Sequence, residues 1–596
     1  MPSYKAPVRD MQFLLHEVLG FEDLTNYEAF SEVDNDLADA VLEQASKFAE
    51  EVLAPLNIVG DHEGCVRHED GSVTTPTGFK DAYKQMTENG WTALSMDPEY
   101  GGQGMPGMLQ IAASEMWTSS NMAFAMYPGL TGGAIKAIQV GGTPEQKQTY
   151  LPKMMSGEWS GTMNLTEPHC GTDLGMLKTK AVPNGDGTYK ISGQKIFISA
   201  GEHDMTDNIV HLVLARIEGA PAGTKGISLF IVPKFKLDAD ENPGEKNAVS
   251  CGSIEEKMGI HGNSTCVMNY DDAEGYLIGD ENKGLRVMFV MMNEARIGVG
   301  LQGLGQSEVA YQNAAIYAKD RIQGRALTGP KHEDKAADPI IVHPDVRRML
   351  METKAFNEAG RALLYWGAKM EDMEKHSGDE KLAEKCDDYL GLLTPVIKGY
   401  LTDMSMKTTI DCQQIFGGHG FVEEWGMSQF VRDNRIALIY EGANGIQALD
   451  LVGRKLARNG GRALMTLNQD ISAFLAQNKD KESLGEFMGG LGDAQKKLTE
   501  ATMWLMQNGM SDPNNAGAGS VDYMHMMGLA TLAYMWAKMA VVAQAKIDDG
   551  SNDQFYPNKI ITGRYFILRM LPMLDSHLAK IKTGAEPVMA LEAAAF

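Results

Sequence analysis

The stretch "YKISGQKIFIS", Tyr189 to Ser199, has the composition of a β-strand. Its isoleucines, tyrosine and phenylalanine are residue types enriched in strands. Two similar runs follow, "NIVHLVLARI" from Asn208 and "GISLFIVPKF" from Gly226, separated by polar residues and glycines, and all three predict strands. A small β domain is therefore expected over residues 160–281, with "DADENPGEKN" (Asp238–Asn247) as a polar loop inside it.

The sequence on both sides of this region has a helical pattern. Before it, apolar residues recur every three or four positions from Asn35, in a pattern that Pro55 is expected to end. After it the same spacing returns, broken by a polar insertion at Thr328–Asp338 and by "NGMSDPNNAGAGS" (Asn508–Ser520), which predicts an exposed loop. Segregated helices and strands predict an α+β fold. The predicted domains are 1–159, helical; 160–281, β; 282–458, helical; and 459–596, an appended helical block.

Composition argues against several classes of protein. The formal net charge of −25 argues against nucleic-acid binding as the main role. The six cysteines include no C-x-x-C pair, so reduced thiols in the cytoplasm are expected, without a metal site. The first residues lack the uninterrupted apolar core of a signal peptide. The apolar run Leu529–Ala545 contains Lys538 and predicts a buried helix of a soluble protein, not a membrane span.

One motif imitates a nucleotide-binding fingerprint. "GVGLQG" (Gly298–Gly303) matches G-x-G-x-x-G, which binds dinucleotides only between a strand and a helix of a βαβ unit. The preceding residues recur at helical spacing instead, as Met288, Met291 and Ala295 illustrate. Small residues on a helix that packs closely are therefore favoured over a nucleotide-binding fold.

Three further segments are weak signals when each is taken alone. "MNLTEPHCGTD" (Met163–Asp173) predicts a turn whose hydroxyls and backbone N–H groups could hold a polar cofactor edge, although an ordinary capped turn is favoured for this stretch alone. "KIFISAG" (Lys195–Gly201) is an ordinary strand by itself. "QIFGGHGF" (Gln414–Phe421) has three glycines in five residues, more than a helix-ending turn needs, which permits close backbone approach to a flat or charged group.

Glu441 stands at the end of an apolar run in "IALIYEGANGIQ" (Ile436–Gln447). Asn444 is expected to cap a new helix and Gln447 to complete a capping box. Glu441 would then lie in a short link, with apolar chain on one side and small residues on the other. A solvated loop carboxylate and a base with a raised pKa in an apolar cleft both fit this pattern.

Taken together and in this order, five segments resemble the signatures of the acyl-CoA dehydrogenase family. They are "LTEPHCGTD", "KIFISAG", "YAKDRIQGR" (Tyr317–Arg325), "QIFGGHGF" and "YEGANGIQ", and the similarity covers residues 35–458. The resemblance implies an N-terminal helical domain, a middle β-barrel-like domain and a C-terminal helical bundle. It also implies FAD bound between the β domain and the bundle, with a neighbouring subunit completing the site.

The resemblance also implies roles for individual residues, with Glu441 as the catalytic base. Contacts to FAD are implied for Met163, Leu165, Thr166, Thr172, Phe197 and Ser199. Contacts to the FAD of the adjacent subunit are implied for Arg321, Gln323, Gln414, Gly417 and Gly418. Backbone contacts to FAD at a helix start are expected for Ala443 and Gly445. Substrate contacts are expected for Thr172, Arg296, Glu441 and Gly442.

Two of these positions depart from the usual family sequence. Ala443 replaces a threonine, which removes one hydroxyl contact and leaves the backbone N–H groups at the helix start. Phe197 replaces a tryptophan but keeps an aromatic face for stacking on a flavin.

The resemblance implies an α,β-dehydrogenation of an acyl-CoA thioester. The appended block and the opening "SYKAPVRDMQFLLHEVLGF" are similar to a longer bacterial subfamily, which implies oxidation of 3-methylmercaptopropionyl-CoA to methylthioacryloyl-CoA. The alternatives are a fatty acyl-CoA dehydrogenase of β-oxidation, an acyl-CoA oxidase that uses oxygen, and a non-enzymatic scaffold without flavin. An electron-transfer flavoprotein is the expected electron acceptor.

The appended block is expected to have a structural role, since it carries no acid–base pair and no glycine-rich segment. In the family such a block covers a surface that shorter members use to form a tetramer, so a homodimer is expected. Its core is predicted to include Met503, Trp504, Met535, Trp536 and Met539.

Overall fold

The computed structural model describes residues 2–596, and its contacts divide the chain into two compact units. The bundle unit contains the chain up to Ser46, Pro106–Ser119 and Val299–Phe596, and the sheet unit contains Lys47–Met105 and Ser120–Gly298. The four predicted domain boundaries stay a prediction. The order of elements along the chain, helices, strands, then helices again, confirms the α+β fold class.

The sheet unit is built around a seven-stranded mixed sheet. Five of its strands close into a ring in the order β11, β5, β4, β6 and β7, and β7 pairs with β11 to complete it. This ring confirms the barrel-like middle domain. The strands of the unit are β1 (Val66–Arg67), β2 (Val73–Thr74), β3 (Trp159–Asn164), β4 (Lys180–Pro183), β5 (Thr188–Ser199), β6 (Asn208–Ile217), β7 (Ser228–Pro233), β8 (Phe235–Leu237), β9 (Pro243–Lys246), β10 (Val249–Ile254) and β11 (Thr265–Ile278).

The three strands predicted from composition are present as β5, β6 and β7. Strand β6 runs parallel to β3 and β4 and antiparallel to β7, and nearly all of its residues are buried. Burial of both faces explains why its sequence is a continuous apolar run without alternation. The predicted polar loop Asp238–Asn247 is only partly a loop, because Pro243–Lys246 pairs with Phe235–Leu237 as a short hairpin.

The helices before the sheet include one that Pro55 was predicted to end. They are α1 (Val8–Gln12), α2 (Asn35–Phe48), α3 (Ala54–Glu63), α4 (Phe79–Glu88), α5 (Gly107–Ser120), α6 (Met122–Gly141) and α7 (Pro144–Met155). The expectation for Pro55 is wrong, because a π-helical turn at Ala49–Leu53 leads directly into α3. Pro55 lies at the start of α3, directly after this π-helical turn, so the irregular turn accommodates the proline without ending the helical path.

The remaining helices begin after the sheet. They are α8 (Gly284–Asp320), α9 (Pro344–His376), α10 (Glu380–Ile415), α11 (Met427–Arg435), α12 (Asn444–Asp450), α13 (Arg462–Asn478), α14 (Gly485–Ser511), α15 (Pro513–Asp548), α16 (Phe555–Tyr565), α17 (Met573–Thr583) and α18 (Glu586–Met589). "GVGLQG" lies inside α8, as the helical interpretation predicted. A Cβ atom on Gly300 would lie 2.6 Å from Ile397, and one on Gly303 would lie 2.8 Å from Ser405, so these glycines allow α10 to pack closely.

The predicted loop at Asn508–Ser520 is wrong. Residues up to Ser511 belong to α14 and those from Pro513 belong to α15, so only Asp512 separates the two helices. The Asp512 side chain accepts a hydrogen bond from Asn514 N, and Pro513 occupies the first helical position. This cap and the proline start a helix at once, which the content of glycine and asparagine concealed.

Helix α15 is the core of the appended block. It is long and apolar enough to cross a membrane by length and composition, but 83% of its most apolar window is buried within the protein. The predicted core residues Met535, Trp536 and Met539 are fully buried. The prediction is wrong for Met503, which is 66% exposed on α14, and Trp504 is only half-buried.

A buried cluster of charges joins five helices of the bundle unit. Arg361 on α9 contacts three carboxylates, at 2.6 Å from Asp10, 2.6 Å from Glu115 and 3.1 Å from Glu308. Lys559 on α16 contacts the same Asp10 and lies 2.8 Å from Glu358. Buried charges need such partners, because an unpaired one is strongly destabilising.

Candidate active site

In the sheet unit, the turn after β3 is bound to the middle of β5. Ile196 N donates a hydrogen bond to Thr166 O at 2.9 Å. The ammonium of Lys195 donates to Leu165 O at 2.9 Å and to Glu167 Oε1 at 2.9 Å. The two motifs "LTEPHCGTD" and "KIFISAG", which are far apart in the sequence, therefore form one rigid element.

Glu167 secures this element from the side of the turn. Its carboxylate also accepts hydrogen bonds from Lys178 N at 2.7 Å, Thr179 N at 3.0 Å and Thr179 Oγ1 at 2.6 Å. Burial alone would raise the pKa of Glu167, but the Lys195 charge and these hydrogen bonds lower it. His169 and Cys170 lie within 4.8 Å of Glu167, yet its oxygens already accept four donors, so this group is a hydrogen-bonded turn and not a metal site.

Neither Lys195 nor Glu167 was predicted from the sequence to be functional. Both side chains are almost fully buried, although lysine and glutamate seldom are. The available signal was a lysine directly before the apolar run Ile196–Ile198 of a strand, which would have pointed to a paired charge. Burial lowers the pKa of Lys195, and the Glu167 carboxylate opposes that shift.

Phe197 is presented by an irregular backbone. The pairing of β5 with β11 shifts register between Ile198, which is opposite Cys266, and Lys195, which is opposite Met268. Phe197 lies in this β-bulge with a φ of 58°, and its side chain is 60% exposed. Bulges of this type redirect a side chain and are common beside active sites.

The other predicted contacts of the sheet unit lie on β3, the turn after it, β5 and α8. Ser199 is half-buried at the end of β5, Met163 is half-buried near the end of β3, Leu165 is buried and Thr166 is half-buried. Thr172 is exposed, beyond Gly171 in the same turn. Arg296 is on α8, buried, with Nη1 donating to Asn293 Oδ1 at 3.4 Å.

In the bundle unit, Glu441 lies in a link between a 3₁₀ turn at Ile436–Leu438 and helix α12. Its φ is 56°, a conformation that is uncommon for a residue with a side chain, and Gly442 follows with a φ of 88°. Such a conformation costs on the order of 1 kcal/mol or more and persists only where the surroundings enforce it. Glu441 is half-buried and therefore keeps access to a ligand.

The predicted capping box is wrong. Ala443 is the residue before the helix, and Asn444 is already in its first turn. The Asn444 side chain instead reaches α10, and the Gln447 amide donates to Glu441 O at 3.3 Å and Gly442 O at 3.2 Å. Both polar side chains fix the link that carries Glu441, a tertiary role that local spacing cannot indicate.

Two further features surround this link. The Tyr440 hydroxyl donates a hydrogen bond to Gln302 Oε1 on α8. Burial, followed by the nearby Glu441 charge, raises the pKa of Tyr440 well above its usual range. Gly445 is exposed and a Cβ atom there would meet nothing within 4 Å, so the backbone at the start of α12 is accessible.

Arg321 and Gln323 are exposed just after the C-terminus of α8. Ile340 N donates to Arg321 O at 2.8 Å, and Gln323 N donates to Asp338 O at 2.9 Å. Burial alone would raise the pKa of the Asp338 carboxyl, but hydrogen bonds from Ala326 N, His332 N and Lys331 N lower it to about 2. The Asp338 carboxylate therefore anchors the backbone of the polar insertion Thr328–Asp338.

The glycine segment after α10 lies beside the end of α8. Tyr317 stacks on Phe416 with ring centroids 4.1 Å apart, and its hydroxyl is 2.8 Å from His419 Nδ1. Gly417 has a φ of 57°, while a Cβ atom on Gly420 would overlap Gln413 O. Gln414, Gly417 and Gly418 are exposed, and a Cβ atom on Gly418 would meet nothing within 4 Å.

Comparison with known proteins identifies the class that this fold and these residues define. The domain models described as acyl-CoA dehydrogenase N-terminal, middle and C-terminal domains match residues 35–158, 162–273 and 282–456, and one described as acetyl-CoA dehydrogenase C-terminal like matches 467–592. The chain belongs to the acyl-CoA dehydrogenase family.

Individual relatives match almost the entire chain. The 3-methylmercaptopropionyl-CoA dehydrogenase of Ruegeria pomeroyi is 42% identical over 98% of this chain and 99% of its own length. The broad-specificity linear acyl-CoA dehydrogenase of Mycobacterium tuberculosis is 36% identical over 100% of both chains. An acyl-CoA dehydrogenase of Bacillus anthracis, solved in complex with FAD, shares the fold, with a TM-score of 0.76, 22% identity and coverage of 98% and 93%.

Proposed function

We propose that the protein uses FAD to oxidise an acyl-CoA thioester to a trans-2-enoyl-CoA, with Glu441 as the base. The observation that supports this most directly is the backbone of Glu441, which is held in a left-handed conformation between Tyr440 and α12 while the side chain stays accessible. A base must be positioned within hydrogen-bond reach of a weakly acidic α-proton, and a fixed backbone meets that requirement.

The residues present fit a flavin. Phe197 offers a largely exposed aromatic face at a bulge, with the Ser199 and Thr166 hydroxyls on the same element. In the bundle unit, the exposed Arg321 and the open backbone at Gly417 and Gly418 fit a pyrophosphate. Met163, Leu165, Thr172, Gln323, Gln414, Ala443 and Gly445 complete the proposed FAD contacts.

The chain's own residues have three tasks in this proposal. Glu441 takes the α-proton, its backbone N–H donates to the thioester oxygen as negative charge develops there, and Gly442 gives the link the φ that directs both groups. Thr172 and Arg296 are proposed to contact the acyl-CoA. FAD, when bound, accepts the hydride from the β-carbon.

The proposed substrate is 3-methylmercaptopropionyl-CoA, with methylthioacryloyl-CoA as the product. The support is the name of the Ruegeria pomeroyi relative together with its near-complete coverage. A second candidate is a linear fatty acyl-CoA, supported by the name of the Mycobacterium tuberculosis relative. One methylene in an apolar pocket changes binding by only about 1–3 kcal/mol, so both substrates are expected to react at different rates.

The oligomeric state, the location and the electron acceptor are proposed as well. We propose a homodimer in the cytoplasm, without a membrane, that passes electrons to an electron-transfer flavoprotein. The buried state of α15 supports a role for that helix inside the protein fold. The Ruegeria pomeroyi and Mycobacterium tuberculosis relatives are named as dehydrogenases, which supports a separate electron acceptor over direct use of oxygen.

Anaerobic titration of the FAD-loaded protein tests the proposal. Methylthio, short-chain and long-chain acyl-CoAs are added separately, with free CoA as the control that lacks a thioester. The expected result is loss of the visible flavin absorbance with acyl-CoA only, fastest with the methylthio substrate, and slow reoxidation in air. Failure of every acyl-CoA to reduce the flavin would exclude the proposed activity, and rapid reoxidation in air would identify an oxidase.

A further inference from the structure

Helix α15 of the appended block packs against α10, the helix whose backbone is bonded to the start of α12. A Cβ atom on Gly399 of α10 would overlap Met524 Sδ of α15, and one on Gly528 of α15 would overlap the ring of Tyr400. Glycine at these two positions therefore lets the helices pack closely at this point. Gly399 also lies beside Gln447, since its Cβ atom would be 3.5 Å from Gln447 Cβ.

Hydrogen bonds cross the same interface and end at the residue that begins α12. His525 Nε2 of α15 lies 2.8 Å from Asp403 Oδ2 of α10. The other oxygen of Asp403 accepts from Asn444 Nδ2 at 2.7 Å, and the amide oxygen of Asn444 accepts from the buried Lys398 ammonium at 2.7 Å. Asn444 follows Glu441 by three residues, and the two intervening residues are Gly442 and Ala443.

We propose that His525 of the appended block is a positioning residue for Glu441, acting through Asp403 and Asn444; this inference rests on the proposed function. Asp403 has one oxygen for each partner, so loss of the His525 donor frees the carboxylate to turn and loosens its hold on Asn444. The link at Glu441 is left-handed at two consecutive residues, a conformation that persists only where its surroundings enforce it. Asn444 also donates to Gly399 O at 3.1 Å and Thr402 Oγ1 at 2.9 Å, so the role proposed for Asp403 is to set the orientation of this amide. A displacement of about 1 Å at a reacting group can cost roughly 100-fold in rate.

His525 faces groups on helices that pack against α15. Asp403 is on α10, and His577 on α17 has its ring centroid 5.3 Å from that of His525. His577 in turn contacts Asp522 at 2.7 Å, so it has its own carboxylate partner. His525 is thus directed to α10, and His577 stays within the appended block.

Substitutions on α15 separate positioning from general stability. His525→Gln keeps an amide donor near Nε2, whereas His525→Leu removes it. Tyr523→Phe is the matched control, because it removes one buried hydrogen bond on the same helix, to Thr502 at 2.7 Å within the appended block. Two quantities are measured on full-length, FAD-loaded protein: the rate of anaerobic flavin reduction at saturating acyl-CoA, and amide hydrogen exchange of residues 441–447.

The expected result is a reduction rate at least roughly 10-fold lower in His525→Leu, with faster exchange at 441–447 and little change in acyl-CoA affinity. His525→Gln should restore both readouts, and Tyr523→Phe should change neither. If His525→Leu does not retain flavin, Asp403→Leu, which removes both acceptor oxygens, tests the same path from the α10 side and should give the same pair of changes.

Two outcomes would overturn the inference. One is unchanged exchange at 441–447 in His525→Leu and Asp403→Leu; the other is an equal loss of rate in Tyr523→Phe, which would reveal a purely structural effect. Failure of the proposed function is a separate result, because wild-type protein would then not be reduced by any acyl-CoA, while hydrogen exchange would still report whether His525 holds the link.

Discussion

The Lys195 ammonium lies 2.9 Å from Glu167 Oε1, and both side chains are almost completely buried. This pair joins the turn after β3 to the strand that carries Phe197. Removing one partner of such a buried pair leaves an uncompensated charge, at a cost of about 3–5 kcal/mol. The geometry around the proposed flavin contacts therefore depends on two residues that are not themselves proposed to touch the flavin.

Lys195→Met is expected to reduce the FAD content of the purified protein and to change the visible absorbance of any flavin that remains. The physical reason is the loss of the bonds that hold Leu165 and Glu167 against β5. The matched control is Lys190→Met, the same change at an exposed position of the same strand. Equal flavin content and identical spectra in the two variants would contradict a role for the buried pair.

Glu441→Gln is expected to retain FAD and acyl-CoA binding, because the amide preserves the shape of the side chain. Flavin reduction should slow by roughly 10²–10⁴-fold, the usual contribution of a positioned base. Stopped-flow absorbance under anaerobic conditions gives the rate, and flavin content serves as the control for folding. Wild-type reduction kinetics in this variant would show that another group takes the proton.

Arg321→Ala is expected to weaken FAD retention and subunit association together. Its exposed guanidinium at the end of α8 is proposed to bind the pyrophosphate of FAD in an adjacent subunit. Lys319→Ala removes the same charge from an exposed position two residues earlier and should change neither property. Flavin content and the molar mass from light scattering are measured for both variants. Retention of flavin and an unchanged molar mass in Arg321→Ala would count against a shared site.

Acid should destabilise the sheet unit through two buried histidines. Burial, assisted by the Lys234 charge, lowers the pKa of His203 and His211 from 6.5 to about 3. Between these values the unfolded chain binds more protons than the folded chain. Their contribution to the free energy of unfolding is therefore complete above pH 6.5 and is lost as the pH falls toward 3.

Urea unfolding at several pH values measures this effect. His211→Asn keeps a group near Nδ1, which lies 2.7 Å from Thr162 Oγ1, but cannot take up a proton. The stability of this variant should fall less steeply than that of the wild type below pH 6.5, with a difference on the order of a few kcal/mol at most. Parallel pH dependence in the two proteins would mean that His211 does not contribute.

The order of helices and strands could be predicted because it depends on local composition. Tyr189–Ser199 has the alternation and branched residues of a strand, and it forms one. Where tertiary contacts decide, local patterns failed: Asn444 and Gln447 match a capping box but bond to α10 and to the Glu441 link. Likewise, a single residue, Asp512, separates two helices where composition indicated a loop.

The candidate site was predictable only to the extent that its residues occur in recognisable segments. The left-handed backbone at Phe197 and Glu441 has no local sequence signal, because neither residue is a glycine. The pairing of Lys195 with Glu167, and the path from His525 to Asn444, join positions far apart in the chain. Such contacts follow from the folded arrangement and not from spacing.

The pairing of Asp10 with Lys559 has a consequence for the order of events during biosynthesis. These partners are 549 residues apart in the chain. A ribosome that adds about 5–20 residues per second will release the first helix long before the lysine exists. Arg361, the other cationic partner of Asp10, is synthesised well before Lys559, so the amino-terminal segment can pair with α9 first and gain its second partner only when α16 exists. Premature termination before Lys559 would leave a product that cannot complete its charged core.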